Sequence, residues 1–95
     1  MAEFIVELYV SRSDGDAAGR HELRAREAAA ALTAEGTNVR FLRSIYLPED
    51  ETCFFLYRAS SMEAVHAAAR RAQLAYEHVA VTARTRPHSQ RPGGS

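Results

Sequence analysis

The residues of this chain with the clearest capacity for chemistry are its four histidines. Imidazole binds nickel and zinc readily. His21 and His66 fall in predicted helices, His78 opens a predicted strand, and His88 lies near the carboxyl terminus. No two of them have the H-x-x-x-H spacing that places two imidazoles on one helix face. A metal site at His21, His66 or His78 would therefore require convergence in the fold or across a dimer. The alternative is that they are ordinary helix-face and strand-end residues.

A second candidate site begins at Glu7 and Tyr9, which alternate with Val6 and Leu8 along the first predicted strand. Alternate residues of a strand point to opposite faces of the sheet, so the two polar side chains point away from the helix-covered face. A carboxylate in an apolar pocket can act as a general acid or base. The alternative for Glu7 is a structural ion pair or a solvated position at the rim of the sheet.

Polar residues of three other predicted strands could join this site. Ser44 and Tyr46 share one parity on the second strand, Tyr57 lies on the third, and His78 shares its parity with Thr82 on the fourth. A polar atom without a partner in an apolar cavity costs free energy, so we expect these groups to contact one another, water, a ligand or a metal. Strand tyrosines are also common in cores, with the hydroxyl satisfied at the edge. The predicted ligand-binding residues are Glu7, Tyr9, Ser44, Tyr46, Tyr57 and His78.

Composition and the remaining motifs exclude several classes of protein. The 12 basic and 12 acidic residues give zero net charge, which argues against a nucleic-acid or anionic-membrane partner. The sequence has no phosphate loop, CxxC pair or nucleophile elbow, and Cys53 has no neighbouring base, so we expect a buried hydrophobe there. A single cysteine fits a reducing compartment, and no signal peptide or long apolar run is visible. These features predict a cytoplasmic protein that does not enter the membrane.

The elements that must position these residues are organised around a predicted hairpin. Residues 39–47 and 52–58 are rich in branched and aromatic side chains and flank the acidic turn at 48–51. The other predicted elements are strands over 3–11 and 78–84, a helix over 17–35 that Gly36 ends, and a helix from the N-cap Ser60 to about residue 73. The order βαββαβ is the ferredoxin-like topology. We therefore predict an α+β domain over residues 1–85, with two helices on one face of a four-stranded antiparallel sheet, and a disordered tail over 86–95.

The predicted sheet has one face that the helices cannot cover. This face would carry large residues such as Ile5, Tyr9, Leu42 and Tyr46, or those of the opposite parity. Such a patch is larger than monomers usually expose. We therefore predict a two-fold homodimer, sheet against sheet, forming an α/β barrel.

Three segments of the chain also resemble a known family: FIVELYV, FLRSIYLPEDETCFFLYRA and SSMEAVHAAARRAQLAYEHV. They are similar to the small bacterial domain of unknown function labelled nickel-binding protein-like, over roughly residues 3–84. The resemblance implies a ferredoxin-like fold, a dimeric α/β barrel and, for some members, nickel binding. The chain differs from the usual family pattern at Phe55 (where Cys is common), at Arg58, and at Gln73, which stands where a glycine is usual.

Two functions from different classes follow from these observations. The first is a small dimeric binding protein that holds a transition metal such as nickel, or a small organic ligand, between its sheets. The second is a cofactor-independent enzyme, of the cyclase or monooxygenase kind, acting on a polycyclic or polyketide-type substrate with Glu7, Tyr46 or His78 as acid or base. The second rests on analogy of fold, and fold alone does not fix function. A structural or regulatory dimer with a filled interior is a third interpretation.

Overall fold

Six regular elements follow one another in the order βαββαβ in the computed structural model, which describes residues 1–82. They are β1 (Ala2–Tyr9), α1 (Asp16–Ala34), β2 (Val39–Leu47), β3 (Thr52–Ala59), α2 (Met62–Arg71) and β4 (Tyr76–Val81). Short 3-10 turns lie at Arg12–Asp14 and Pro48–Asp50. The predicted strand end at Arg84 and the predicted tail over 86–95 lie outside the described residues. Among the described helices, none is long and apolar enough to cross a membrane.

The strands form one antiparallel sheet in the order β2-β3-β1-β4. The predicted hairpin pairs β2 with β3, and β1 lies between β3 and β4. This is the ferredoxin-like arrangement, so the predicted fold class is confirmed. β2 and β4 are the two edges of the sheet.

The core lies between the helices and one face of the sheet. On β1 the alternate residues Phe4, Val6 and Leu8 are buried, and on β3 Phe55 and Tyr57 have no exposed surface. The helices contribute mostly alanines, and such small side chains allow a helix to approach the sheet closely. Among the described residues, no polar or charged residue is buried. The one buried side-chain polar atom without a hydrogen-bond partner is the hydroxyl oxygen of Tyr57, a member of the core.

The predicted C-terminal end of α1 is confirmed, whereas the predicted N-cap of α2 is not. Gly36 follows α1 with φ +104°, and the Thr37 N–H donates to the Leu32 carbonyl at 2.9 Å, which is the helix-ending motif predicted there. The predicted N-cap of α2 was wrong by one residue. The hydroxyl of Ser61, rather than that of Ser60, accepts the Ala64 N–H at 3.1 Å. The two serines are equivalent as capping chemistry, and only the path of the chain out of β3 selects between them.

A β-bulge in β2 reverses the orientation of half of that strand. Phe41 lies opposite Tyr57, but the next pair joins Arg43 to Leu56, so Leu42 is an extra residue in the ladder. A shift of one residue moves every later side chain to the other face of the sheet. From Arg43 onward, the side chains of β2 therefore lie on the face opposite to the one that simple alternation from Val39 would predict.

Candidate functional site

The open face is the side of the sheet that the helices leave uncovered. Its residues follow from the register of the strands: Glu3, Ile5, Glu7 and Tyr9 on β1; Thr52, Phe54, Leu56 and Arg58 on β3; Arg40, Arg43, Ile45 and Leu47 on β2; His78 and Ala80 on β4. It combines a belt of apolar side chains with charged residues: Glu3, Arg58 and Arg40 lie side by side at one end of the strands, and Arg43 and Glu7 border the belt. The prediction that the face away from the helices is mixed polar and apolar is confirmed.

The apolar belt is wide for a surface in contact with water. Ile45 is 40% exposed and Leu47 is 41% exposed, and Ile5, Phe54 and Leu56 beside them are only half-buried. Isolated exposed apolar residues are ordinary, but a contiguous patch of this kind usually marks an interface or a ligand site. Of the two parities that the sequence left open for β2, the bulge at Leu42 puts Ile45 and Leu47 on this face.

Among the described residues, Glu7 and His78 form the one cross-strand pair on the open face that joins a carboxylate to an imidazole. They lie directly opposite each other on β1 and β4, and Phe54 lies opposite Glu7 on the other side. Residues paired in this way have Cβ atoms about 4.5–5.5 Å apart. Glu7 is half-buried and His78 is exposed. Neither makes a side-chain hydrogen bond or an ion pair with any of the described residues, so both are available to a ligand.

Tyr9 shares this face but lies at its rim. Its side chain is 57% exposed, and its hydroxyl donates to Glu51 Oε2 at 3.3 Å. The same carboxylate oxygen accepts the Arg12 N–H at 3.1 Å. This backbone hydrogen bond, with that from Tyr9, lowers the pKa of Glu51 below its ordinary value. Tyr9 therefore helps to tie the turn after β1 to the hairpin turn.

Ser44 and Tyr46 do not lie with Glu7 and Tyr9, and the prediction that they line a space between two sheets is wrong. Because of the bulge, they lie opposite Phe55 and Cys53, on the helix side. Ser44 Oγ donates to Glu22 Oε1 on α1 at 2.5 Å. The Tyr46 hydroxyl is 3.2 Å from both the Val10 and the Ser11 carbonyl oxygens. Both side chains fasten elements to the covered face of the sheet.

Tyr57 also lies in the core rather than in a ligand cavity. Its ring has no exposed surface and meets Phe41 edge-to-face, with 5.3 Å between centroids. Its hydroxyl oxygen has no hydrogen-bond partner within the described part of the chain. Burial raises the pKa of this phenol far above its ordinary value. The prediction of Tyr57 as a ligand-binding residue is therefore wrong, whereas the core alternative fits its position.

The side chains of His21 and His66 are already hydrogen-bonded, on the helix side of the sheet. His21 Nδ1 accepts a hydrogen bond from Arg24 Nη2 at 2.7 Å, and burial lowers the pKa of this imidazole, with the Arg24 charge adding to the effect. A guanidinium in this position opposes a metal cation at the same nitrogen. His66 Nδ1 is hydrogen-bonded to the Tyr76 hydroxyl at 2.7 Å. Within residues 1–82 no group of three or more His, Cys, Asp and Glu side chains converges, so the candidates His21, His66 and His78 stay apart in a single chain.

Cys53 behaves as the sequence predicted. It has no exposed surface, and burial raises the pKa of its thiol to about 11. Such a thiol stays protonated at neutral pH and is therefore a poor nucleophile, because attack requires the thiolate. The contribution of Cys53 is packing.

The fold and the open face define a class of protein: a small α+β domain with an uncovered sheet face that carries a carboxylate–imidazole pair. The family model described as "Nickel responsive protein SCO4226-like" matches residues 9–81. The chain therefore belongs to this family, which agrees with the resemblance seen in its sequence. No curated protein and no solved structure matches the chain.

Proposed function

We propose that this protein is a divalent transition-metal binder, with nickel as its metal, and that it binds the metal as a homodimer through the open face. The observation that carries the proposal is the Glu7–His78 pair, which combines two kinds of nickel ligand at one position of the ladder. The membership of the chain in a nickel-responsive family supports the choice of metal.

The residues present fit a metal only if two chains contribute. One chain offers Glu7 and His78, and its described residues hold no group of three ligands. A two-fold axis that passes close to this pair would bring together two carboxylates and two imidazoles. Side-chain nitrogen and oxygen ligands of this kind suit a borderline divalent ion such as Ni²⁺. The second copy therefore completes a site that one copy leaves open.

The apolar belt supplies the reason for association. Ile45, Leu47 and their half-buried neighbours lose contact with water when a second sheet covers them, and apolar burial stabilises by about 25 cal/mol per Å². A specific dimer is expected to bury at least about 1,000 Å² in total. The charged residues of the face, which include Glu3, Arg58 and Arg40 at one end of the strands, would fix the relative orientation of the copies.

The enzymatic alternative has less support. It required Glu7, Tyr46 or His78 to act as acid or base in a shared cavity, and Tyr46 lies on the helix side with its hydroxyl bound to backbone carbonyls. Glu7 and His78 of two copies together would supply the ligands of a metal ion instead.

The test is isothermal titration of Ni²⁺ into wild type, Glu7→Gln and His78→Gln, with the mass in solution measured by light scattering on the same samples. The expected result is a dimer that binds one Ni²⁺ per two chains. Each substitution should weaken binding by at least about tenfold, which corresponds to about 1.4 kcal/mol, and leave the fold intact. His21→Gln is the matched control, because it removes an imidazole on the helix side and should leave nickel binding unchanged.

Two outcomes would contradict the proposal in different ways. A monomer at micromolar concentration would refute the interface, and Ile45→Asp should convert a genuine dimer to monomer and abolish nickel binding with it. A dimer whose nickel affinity is insensitive to both Glu7→Gln and His78→Gln would retain the interface but refute the site.

A further inference from the structure

A groove on another part of the molecule, between α1 and the edge strand β2, has the features of a second binding site. We name it the α1–β2 groove. Its floor and walls include Ala29, Ala30, Ala34, Val39 and Phe41, and this open groove has a volume of about 460 Å³. Small-molecule sites usually have volumes of roughly 300–1,000 Å³. The groove exists because α1 presents alanines to the start of β2, where a larger side chain would fill the space.

The interior of the groove is apolar. Val39 and Phe41 are buried at its base, and Ala29 is buried on the helix. The single hydroxyl in the lining belongs to Thr33, and it already donates to the Val39 carbonyl at 2.6 Å. The interior therefore has no polar side chain that lacks a hydrogen bond, so the part of a ligand that enters the groove must be hydrocarbon.

The described lining carries two arginines and no acidic residue, and Glu22 beside it pairs with Arg26. Arg26 and Arg40 both line the groove. The Arg26 guanidinium lies 4.7 Å from the centroid of Phe41, and its Nε and Nη2 are held by Glu22 at 3.0 and 2.9 Å. A guanidinium has five N–H donors, so Nη1 and part of Nη2 remain for a ligand. Arg40 belongs to the open face and borders the groove from the edge strand, and it has no hydrogen bond or ion pair with the described residues.

We infer that the α1–β2 groove binds an amphipathic carboxylate: a saturated hydrocarbon chain over Ala30, Ala34 and Val39, with its carboxylate at Arg26 and Arg40. Charge-assisted hydrogen bonds from guanidinium to carboxylate are about twice as strong as neutral ones. The aromatic ring and Glu22 hold Arg26 in place before a ligand arrives, which reduces the entropy lost on binding. This site shares no residue with the Glu7–His78 pair and does not depend on the proposed metal function; Arg40 borders both the groove and the open face.

The experiment is a titration of octanoate into ¹⁵N-labelled protein, followed by amide chemical shifts, with octan-1-ol as the uncharged ligand of equal chain length. We expect saturable changes centred on residues 26–34 and 39–41. Octan-1-ol should bind at least about tenfold more weakly, or about 1.4 kcal/mol, because it cannot form the ionic contacts.

Ala30→Leu is the decisive variant, because Ala30 is an exposed helix position and leucine is a good helix former. Its side chain should fill the groove and weaken octanoate binding at least about tenfold. Ala31→Leu is the matched control: the same substitution one residue along, facing Arg71 and Ala72 in place of β2, should leave octanoate binding unchanged. Arg26→Gln should weaken octanoate binding and leave octan-1-ol binding as it was.

The inference is overturned if octanoate causes no saturable change at millimolar concentration, or if the changes centre on the open face. Equal binding of octanoate and octan-1-ol would remove the role assigned to the arginines. Binding that survives Ala30→Leu would place the ligand elsewhere. If Arg26→Gln fails to fold, the comparison of the two ligands and the Ala30→Leu variant still decide the question.

Discussion

The backbone at Gln73 stores strain that a single substitution can remove. This residue follows α2 in the left-handed conformation, with φ 60°. Its N–H donates to the Arg70 carbonyl at 2.9 Å, and the Leu74 N–H donates to the Ala69 carbonyl at 3.0 Å. This hydrogen-bond pattern ends many helices and normally has glycine at the left-handed position. Glycine has no Cβ and adopts this conformation without steric cost, so Gln73→Gly should stabilise the fold.

The magnitude can be worked out from two opposing effects. A side chain in the left-handed region costs about 1–2 kcal/mol, because Cβ approaches the following carbonyl oxygen. Glycine also gives the unfolded chain more conformational freedom, which lowers the stability of the folded state by about 0.4–1 kcal/mol. The side chain of Gln73 is exposed and makes no hydrogen bond with the described residues, so no contact is lost. The expected gain is about 0.5–1 kcal/mol, which for a domain of this size raises Tm by about 2–8 °C.

The assay is thermal and urea unfolding followed by circular dichroism, at one fixed protein concentration because association changes apparent stability. Gln73→Ala is the matched control: it removes the same polar side chain but keeps Cβ, and should stay within about 0.5 kcal/mol of wild type. Gly36→Ala is the reverse experiment, at φ +104° with no atom within 4 Å of an added Cβ. It should destabilise the protein through the backbone alone. A Gln73→Gly variant that is no more stable than wild type would refute the reasoning.

Three further predictions use the same unfolding assay. Tyr57→Phe should leave stability unchanged or raise it by about 1 kcal/mol, since it deletes a buried hydroxyl without a partner; a loss above about 1 kcal/mol would show that the hydroxyl has a bound water. Ser61→Ala should cost about 0.5–2 kcal/mol and Ser60→Ala much less, because only Ser61 caps α2; the reverse order would restore the capping box predicted from the sequence. The hydrogen bond from Ser44 lowers the pKa of Glu22 below its ordinary value of 4.5, so its contribution is present above about pH 4.5 and lost as the pH falls through the lower folded value. The stability difference between wild type and Glu22→Gln should therefore shrink on acidification, and a constant difference would contradict this origin.

The sequence correctly predicted which side chains of β1 lie on each face of the sheet. Its strict alternation places Phe4, Val6 and Leu8 on one side and Glu7 and Tyr9 on the other, and the structure has the same division. The alternation is reliable there because β1 pairs along its length with β3 without a shift of register. The position of Glu7 on the open face therefore followed from the residues alone.

The orientation of the β2 side chains could not be predicted from the sequence, and this decided two of the six predicted ligand-binding residues. Ser44 and Tyr46 would share the open face with Glu7 if β2 alternated without interruption. The bulge at Leu42 turns them to the helix side, where Glu22 and backbone carbonyls receive their hydroxyls. No residue type at 41–43 demands a bulge; it arises from how β2 fits against β3 and α1 together.

The sequence by itself determined the order of elements, the hairpin, the helix-ending Gly36 and the burial of Cys53. These follow from local causes: side-chain period, turn chemistry and the single residue that tolerates a left-handed backbone at no cost. Tertiary structure alone decided that Ser61 caps α2, that Tyr57 lies in the core, and that Glu7 lies opposite His78. The cap depends on the path of the chain out of β3. The other two depend on how the strands pair and pack, and the register between strands is set by the packing of the whole core rather than by neighbouring residues.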